Sequence, residues 1–233
     1  MKTVGIIGGM SFESSTLYYE TMNRLVRDHR GGLHSLPILL SSVDFEPYAR
    51  LQENGNWAAI GDALHEEAKR LETAGAEVIV LATNTMHAAA DRITEDLEVP
   101  FIHIGEATAQ AVKAKGMKRI ALLGTRFTME YAFYREKFEE VGIEVMIPGD
   151  ADRAYIHQAV FKELCLGTLN PDTKHSFLQI IDQLVDDGAQ GIVLGCTEIP
   201  LLIGDDDANV PVFNTSDIHA KAAVAFALDE NNH

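Results

Sequence analysis

The chain has 233 residues, enough for one large domain or two small ones with real cores. Its hydrophobic content of 46% excludes a disordered chain, and no apolar run approaches the length of a membrane span. The net charge of −16 argues against nucleic acid or an anionic membrane as partner, and any acidic ligand has to be met by local donors.

Taken in order, Met1-Lys2-Thr3-Val4 enters a strand directly, with no signal-peptide pattern, so a cytoplasmic location is expected. That strand, residues 3–9, ends in Gly8-Gly9 and is followed by Met10-Ser11-Phe12-Glu13-Ser14-Ser15, a polar run suited to a helix N-cap. Gly5, Gly8 and Gly9 do not give GxGxxG, so no nucleotide is implied. A strand at 36–43 comes next, then a loop or short turn from Asp44 to Gln52, then an amphipathic helix over 57–74. The strand 77–82 runs into Thr83-Asn84-Thr85-Met86-His87 and a helix to about Leu97. Val99-Pro100-Phe101-Ile102 restarts the pattern, with a glycine-ended strand at 119–125 and a strand at 143–147. Helices over 152–164 and 173–187 lead to Gly191-Ile192-Val193-Leu194-Gly195-Cys196-Thr197-Glu198. Val210-Pro211-Val212-Phe213 and a helix from about Asp217 finish the chain.

Three pairs of segments coincide in order. Phe12 maps to Phe127 at a spacing of 115, Thr83 to Cys196 at 113, and Val99 to Val210 at 111. An internal duplication follows, with a unit too long for a solenoid repeat. Strands alternating with helices give an α/β chain of two pseudo-twofold-related domains, each a parallel sheet flanked by helices. Ligands of such sheets bind beyond the carboxyl ends of the strands, which places the expected site in the cleft between the domains. Thr83 ends the central strand of one copy and Cys196 that of the other, so the two are expected to face each other across that site.

Cysteine usage is sparse, with Cys165 and Cys196 only, which fits free thiols in a reducing compartment. The histidines are scattered without zinc-site spacing, so no metal is expected. Cys196 suits the role of a base, because a thiol near a helix N-terminus is acidified and Thr197 to Leu202 reads as a helix start. Cys165, in Leu164-Cys165-Leu166, reads as a mid-helix core residue. A hydroxyl such as that of Thr83 is a poor base without an activating neighbour but can donate or relay a proton. Asn84, Thr85 and Thr197 are short polar side chains beside the backbone N–H groups of expected helix starts. With the backbone of Met10 they are assigned to a substrate carboxylate. Ser11 and Ser14 are weaker candidates of the same kind. Glu198 is expected to orient a neighbour or repel the wrong substrate, and His87 reads as structural. Arg50 and Lys162 are as well explained by solvated surface charge as by pairing with a side-chain carboxylate.

Gly8-Gly9-Met10-Ser11, Thr83-Asn84-Thr85-Met86-His87 and Gly195-Cys196-Thr197-Glu198 resemble the aspartate/glutamate racemase family, with similarity along the whole chain. The likeness is strongest to the bacterial branch of L-aspartate/glutamate-specific racemases. Family members usually carry cysteine at both catalytic positions, and that branch is known with threonine where Thr83 stands. The resemblance implies a cofactor-independent isomerase with Thr83 and Cys196 as its catalytic pair, acting first on the L enantiomer of a small-molecule amino acid. It also implies a homodimer, a substrate contact at Gln52, and domains made of residues 1–98 plus 210–233 and of residues 99–209. Two rivals remain: a decarboxylase or cis–trans isomerase of a dicarboxylic acid using one cysteine on the same fold, and a binding module that has lost chemistry.

Overall fold

A computed structural model describes residues 1–229. The last four positions of the expected first domain, 230–233, lie outside the described residues. In chain order the elements are β1 (Val4–Gly8), α1 (Phe12–Arg30), β2 (Ile38–Ser42), α2 (Phe45–Glu53), α3 (Trp57–Thr73), β3 (Val78–Leu81), a 3-10 turn at Thr85–Ala89, α4 (Ala90–Ile93) and β4 (Phe101–Ile102). They continue with α5 (Ile104–Ala114), β5 (Arg119–Gly124), α6 (Arg126–Glu130), α7 (Ala132–Glu139), β6 (Glu144–Met146), α8 (Asp150–Lys162), a 3-10 turn at Leu164–Leu166 and α9 (Pro171–Asp186). After β7 (Ile192–Gly195) come 3-10 turns at Ile199–Leu201 and Asp205–Asp207, then β8 (Val212–Asn214) and α10 (Thr215–Leu228). Among the described residues no helix is long and apolar enough to cross a membrane.

The chain divides into two compact units, Met1–Ile104 with the chain from Ser216, and Gly105–Thr215. The sheet of the first unit is parallel with strand order β2-β1-β3-β4. Alternation along its central strands sends Val4, Ile6, Val78 and Val80 to one face, against Tyr18, Met22 and Val26 of α1 and Ala220, Ala223 and Val224 of α10. Ile7, Ile79 and Leu81 point the other way, against Ile60, Leu64, Ala68 and Leu71 of α3. Because both faces are covered, β1 and β3 are apolar throughout and wholly buried. The 60, 64, 68, 71 spacing on α3 is one stripe of a 3.6-residue helix, and burying each of its large aliphatic side chains contributes about 2 kcal/mol.

The second unit repeats the same scheme, a parallel sheet of order β6-β5-β7-β8. Ala121, Leu123, Ile192 and Leu194 pack on Ile156 and Val160 of α8 and on Phe177, Ile181 and Leu184 of α9. Counted within each unit, the strands have the same order, as a duplicated chain requires. The expected domain crossings, at 98/99 and 209/210, differ from the observed ones at 104/105 and 215/216. Strand pairing accounts for the difference. β4 pairs with β3 through Ile79 and Phe101, and β8 pairs with β7 through Ile192 and Val212. Each Val-Pro segment therefore completes the sheet it follows before the chain leaves that unit.

Other local expectations also change. Residues 44–52 are not a loop. Asp44 caps α2 by accepting from Glu46 N at 3.3 Å, and Pro47 sits in the first turn, where a missing N–H costs little. The helix expected to reach Leu97 ends at Ile93. Cys165 lies in a 3-10 turn after α8 rather than mid-helix, half-buried against the core of its unit. Gly9 is sterically required, and Gly195 is closely packed. Gly9 has φ +92°, and a Cβ there would lie 2.2 Å from the Val43 carbonyl oxygen. Gly195 stands where the other copy has Ala82, and a Cβ there would come within 2.9 Å of Leu122 Cδ1.

Candidate active site

The first unit builds its part of the site where β1 and β3 end. Ala82 N–H donates to the Ile7 carbonyl at 2.9 Å, the last rung between those strands, and Thr83 N–H turns back onto the Leu81 carbonyl at 2.8 Å. Two serines brace the loop after β1. Ser15 Oγ accepts from Gly9 N–H at 2.8 Å, and Ser14 Oγ donates to the Ala82 carbonyl at 3.0 Å. Ser11 caps α1 by accepting from Ser14 N–H at 3.4 Å. Ser11 and Ser14, weighed above as substrate contacts, thus have local structural work. Ser15, in the same run of small polar residues, also donates from Oγ to the Ser11 carbonyl at 3.1 Å and so ties Gly9 to Ser11 within the loop after β1.

Thr83, Asn84 and Thr85 are all buried. They do not sit at the start of an α-helix, since the turn over Thr85–Ala89 is 3-10 and Asn84 makes no side-chain cap to it. Met10 is buried with its side chain in the core formed by β1, β3 and α3, which leaves its backbone as the part able to meet a ligand. Gln52 is the buried residue of α2, unusual for a glutamine. Arg50 is exposed and paired with Glu46 at 2.9 Å, and Lys162 is exposed on α8, so both behave as solvated charges. His87 is buried, with Nδ1 at 2.8 Å from the Thr83 carbonyl and Nε2 accepting from Ile104 N–H at 3.2 Å. Among the described residues no group of three or more His, Cys, Asp or Glu is arranged to hold a metal ion.

In the second unit, Gly124 and Gly195 pair at the ends of β5 and β7. Their lack of side chains lets the strands finish together, and Cys196 follows, 7% exposed. Its Sγ donates to Glu198 Oε2 at 3.0 Å, and Thr197 Oγ1 donates to the same oxygen at 2.7 Å. Cys196, Thr197 and Glu198, named separately from the sequence, are therefore one hydrogen-bonded cluster. One expectation is overturned. No α-helix follows Cys196; only a 3-10 turn forms, at Ile199–Leu201. The thiol consequently has no helix terminus to acidify it. Burial pushes it well above its ordinary pKa, and the negative charge of Glu198 adds to the effect.

This arrangement offers a protonated thiol touching a carboxylate, not a standing thiolate. A carboxylate is the natural acceptor for that proton when the thiol has to act as a base. On the other strand end, Thr83 offers a hydroxyl in a backbone setting fixed at both its N–H and its carbonyl.

The chain matches the Asp/Glu/Hydantoin racemase family over residues 7–223. It is 27% identical over 169 residues to the broad specificity amino-acid racemase RacX of Bacillus subtilis, covering 71% of each chain. It superposes on the crystal structure of a Yersinia pestis protein assigned to the Asp/Glu racemases with a TM-score of 0.93 and 47% identity, over 98% of this chain and 100% of that one. The fold alone is shared with arylmalonate decarboxylase, at a TM-score of 0.61 and 18% identity, over 97% of this chain and 93% of that one. Two parallel sheets in duplicate topology, with a thiol and a hydroxyl at equivalent strand ends, thus coincide with a family match along nearly the whole chain, and the protein belongs to the Asp/Glu/hydantoin racemase family.

Proposed function

We propose that the protein racemises an acidic amino acid, aspartate or glutamate, without a cofactor, using Cys196 and Thr83 on opposite faces of the α-carbon. The observation that carries this reading is the 3.0 Å hydrogen bond from Cys196 Sγ to Glu198. Glu198 takes the thiol proton, and the thiolate removes the α-proton of the L substrate. The electron pair left on Cα is delocalised into the α-carboxylate, whose charge is met by N–H groups at Met10, Asn84, Thr85 and Thr197. Thr83 then donates its hydroxyl proton to the other face and recovers one from water, while Glu198 gives up its proton to the hydroxide so formed and Cys196 keeps the former α-proton as its thiol hydrogen. An α-carbanion is a far stronger base than an alkoxide, so a hydroxyl is a competent donor here although it would be a poor base from the D side. Gln52, buried and polar, supplies a contact to the substrate.

The two enantiomers are equally stable in water, so this asymmetry acts on rates and on the resetting of the two protons, never on the equilibrium. Incubation in deuterium oxide with L-aspartate, L-glutamate and a panel of neutral amino acids, with no added cofactor, tests the reading. The expected result is α-deuterium together with the D enantiomer. Absence of both across the panel would sink it. The same fold and a single thiol also suit a decarboxylase, and release of carbon dioxide from a malonate-type acid without racemisation would favour that rival.

Glu198 gives a sharper check. Glu198→Gln keeps the shape but removes the proton acceptor, so kcat is expected to fall about a hundredfold, within the range of general-base effects. Its activity should recover partly at high pH, where the Cys196 thiol ionises unaided. A Glu198→Gln enzyme as active as the wild type at neutral pH would remove Glu198 from the mechanism.

A further inference from the structure

We infer that His87 is a positioning residue for Thr83: its imidazole fixes the backbone that aims the Thr83 hydroxyl, and so controls inversion rather than proton removal. The inference rests on the racemase reading and adds to it a residue that does not touch the substrate.

The geometry is specific to one tautomer. Ile104 N–H is a donor, so the Nε2 it reaches at 3.2 Å carries no hydrogen. Nδ1 therefore does, and it donates to the Thr83 carbonyl at 2.8 Å. The side chain performs a task the local backbone leaves open. In an α-helical turn the Thr83 carbonyl would receive the amide four residues on, but that amide, His87 N–H, donates to the Asn84 carbonyl at 3.1 Å. The ring replaces that bond from the side and anchors its far edge on the first amide of α5. Its place is packed, with the His103 ring 4.6 Å away edge-on, the His219 ring at 5.8 Å, and Phe101 at 5.5 Å. Thr83 is thereby held at both backbone groups, by Leu81 through its N–H and by His87 through its carbonyl. A hydroxyl that delivers a proton to one face of a carbanion must be aimed closely, and small misplacements cost large factors in rate.

The test separates aim from general damage. In deuterium oxide, Cys196 by itself suffices to exchange the α-proton on its own face, whereas inversion also needs Thr83. The measured quantity is the ratio of inverted product to deuterated, uninverted substrate, alongside the thermal unfolding transition. His87→Phe, which keeps the ring and removes both hydrogen bonds, is expected to lower that ratio about tenfold or more. Same-face exchange should stay within about threefold of wild type. His87→Asn presents an amide N–H near the position of Nδ1 and is expected to keep a ratio close to wild type.

A folded His87→Phe protein with an unchanged ratio, or with both rates reduced together, would overturn the inference. Should His87→Phe fail to fold, His87→Asn and His87→Gln replace it. Asn keeps the near donor and Gln does not, and equal ratios for the two would overturn the inference. A wild-type protein giving neither deuteration nor D product would instead remove the racemase reading itself, so the two failures are distinct.

Discussion

Replacing Cys196 with serine is expected to abolish racemisation, with kcat falling by at least about a thousandfold, while Cys165→Ser retains activity near that of the wild type. A serine hydroxyl fits the space and can still hydrogen-bond to Glu198, but it is a much weaker acid than a thiol, so the carboxylate cannot deprotonate it usefully. Burial already pushes the thiol upward, which leaves little margin for a group still harder to ionise. Cys165 is half-buried beside the same core and lies in the 3-10 turn after α8 rather than at the end of a central strand. The pair of substitutions isolates chemistry from packing, since both replace sulfur with oxygen next to one apolar cluster. Full activity of Cys196→Ser would refute the thiol as base. Thr83→Cys probes the other face. A second thiol there is expected to make the L-to-D and D-to-L rates more alike, which chiral chromatography of both directions would read.

Acidification from pH 7 to pH 5 is expected to destabilise the first unit by about 2 kcal/mol through His219 alone. His219 is buried, with Nδ1 accepting from the Tyr18 hydroxyl at 2.8 Å and Nε2 donating to the Ile102 carbonyl at 2.7 Å. Burial, aided by the charge of His103, pushes it down to about 4 even though the Ile102 carbonyl works in the opposite direction. An unfolded histidine titrates near 6.5, so between 6.5 and 4 the unfolded chain binds a proton that the folded one refuses. Stability from this group is therefore complete above the unfolded value and is lost as the pH falls through the window. His87, buried and facing His103 and His219, is also pushed well below its ordinary value and adds in the same direction. A loss of about 2 kcal/mol corresponds to a drop in Tm of about 4 to 8 °C for a protein of this size. His219→Asn should be less stable at pH 7 but show a shallower fall in Tm from pH 7 to pH 5. Parallel curves for the variant and the wild type would show that His219 does not carry the effect.

Much of the fold was legible because local patterns and global topology agree. Buried parallel strands are continuous apolar runs, and Val78–Leu81 and Ile192–Gly195 announce themselves as such. The duplication was legible because three strand ends keep their order and spacing, and the two sheets share one strand order. What failed was local. Asp44 to Gln52 reads as loop because Pro47 is a helix breaker in most positions, and only its place in the first turn makes it harmless. The Val-Pro segments read as the start of a new repeat, yet their hydrogen bonds go to the strand before them.

The sequence by itself determined the class of fold and the repeat, and it aligns Thr83 with Cys196, Asn84 with Thr197 and Thr85 with Glu198. Those are properties of residue type and spacing. Only the tertiary structure decided the state of the groups. Whether a thiol is acidified or suppressed depends on burial and on which carboxylate it touches, and the structure puts Cys196 against Glu198 with no helix terminus beneath it. Whether a histidine braces the backbone depends on what each ring nitrogen meets, and residues as distant as His87 and Ile104 meet only in the folded chain. Periodicity fixes which residues are buried; contact across the fold fixes what a buried polar group is able to do.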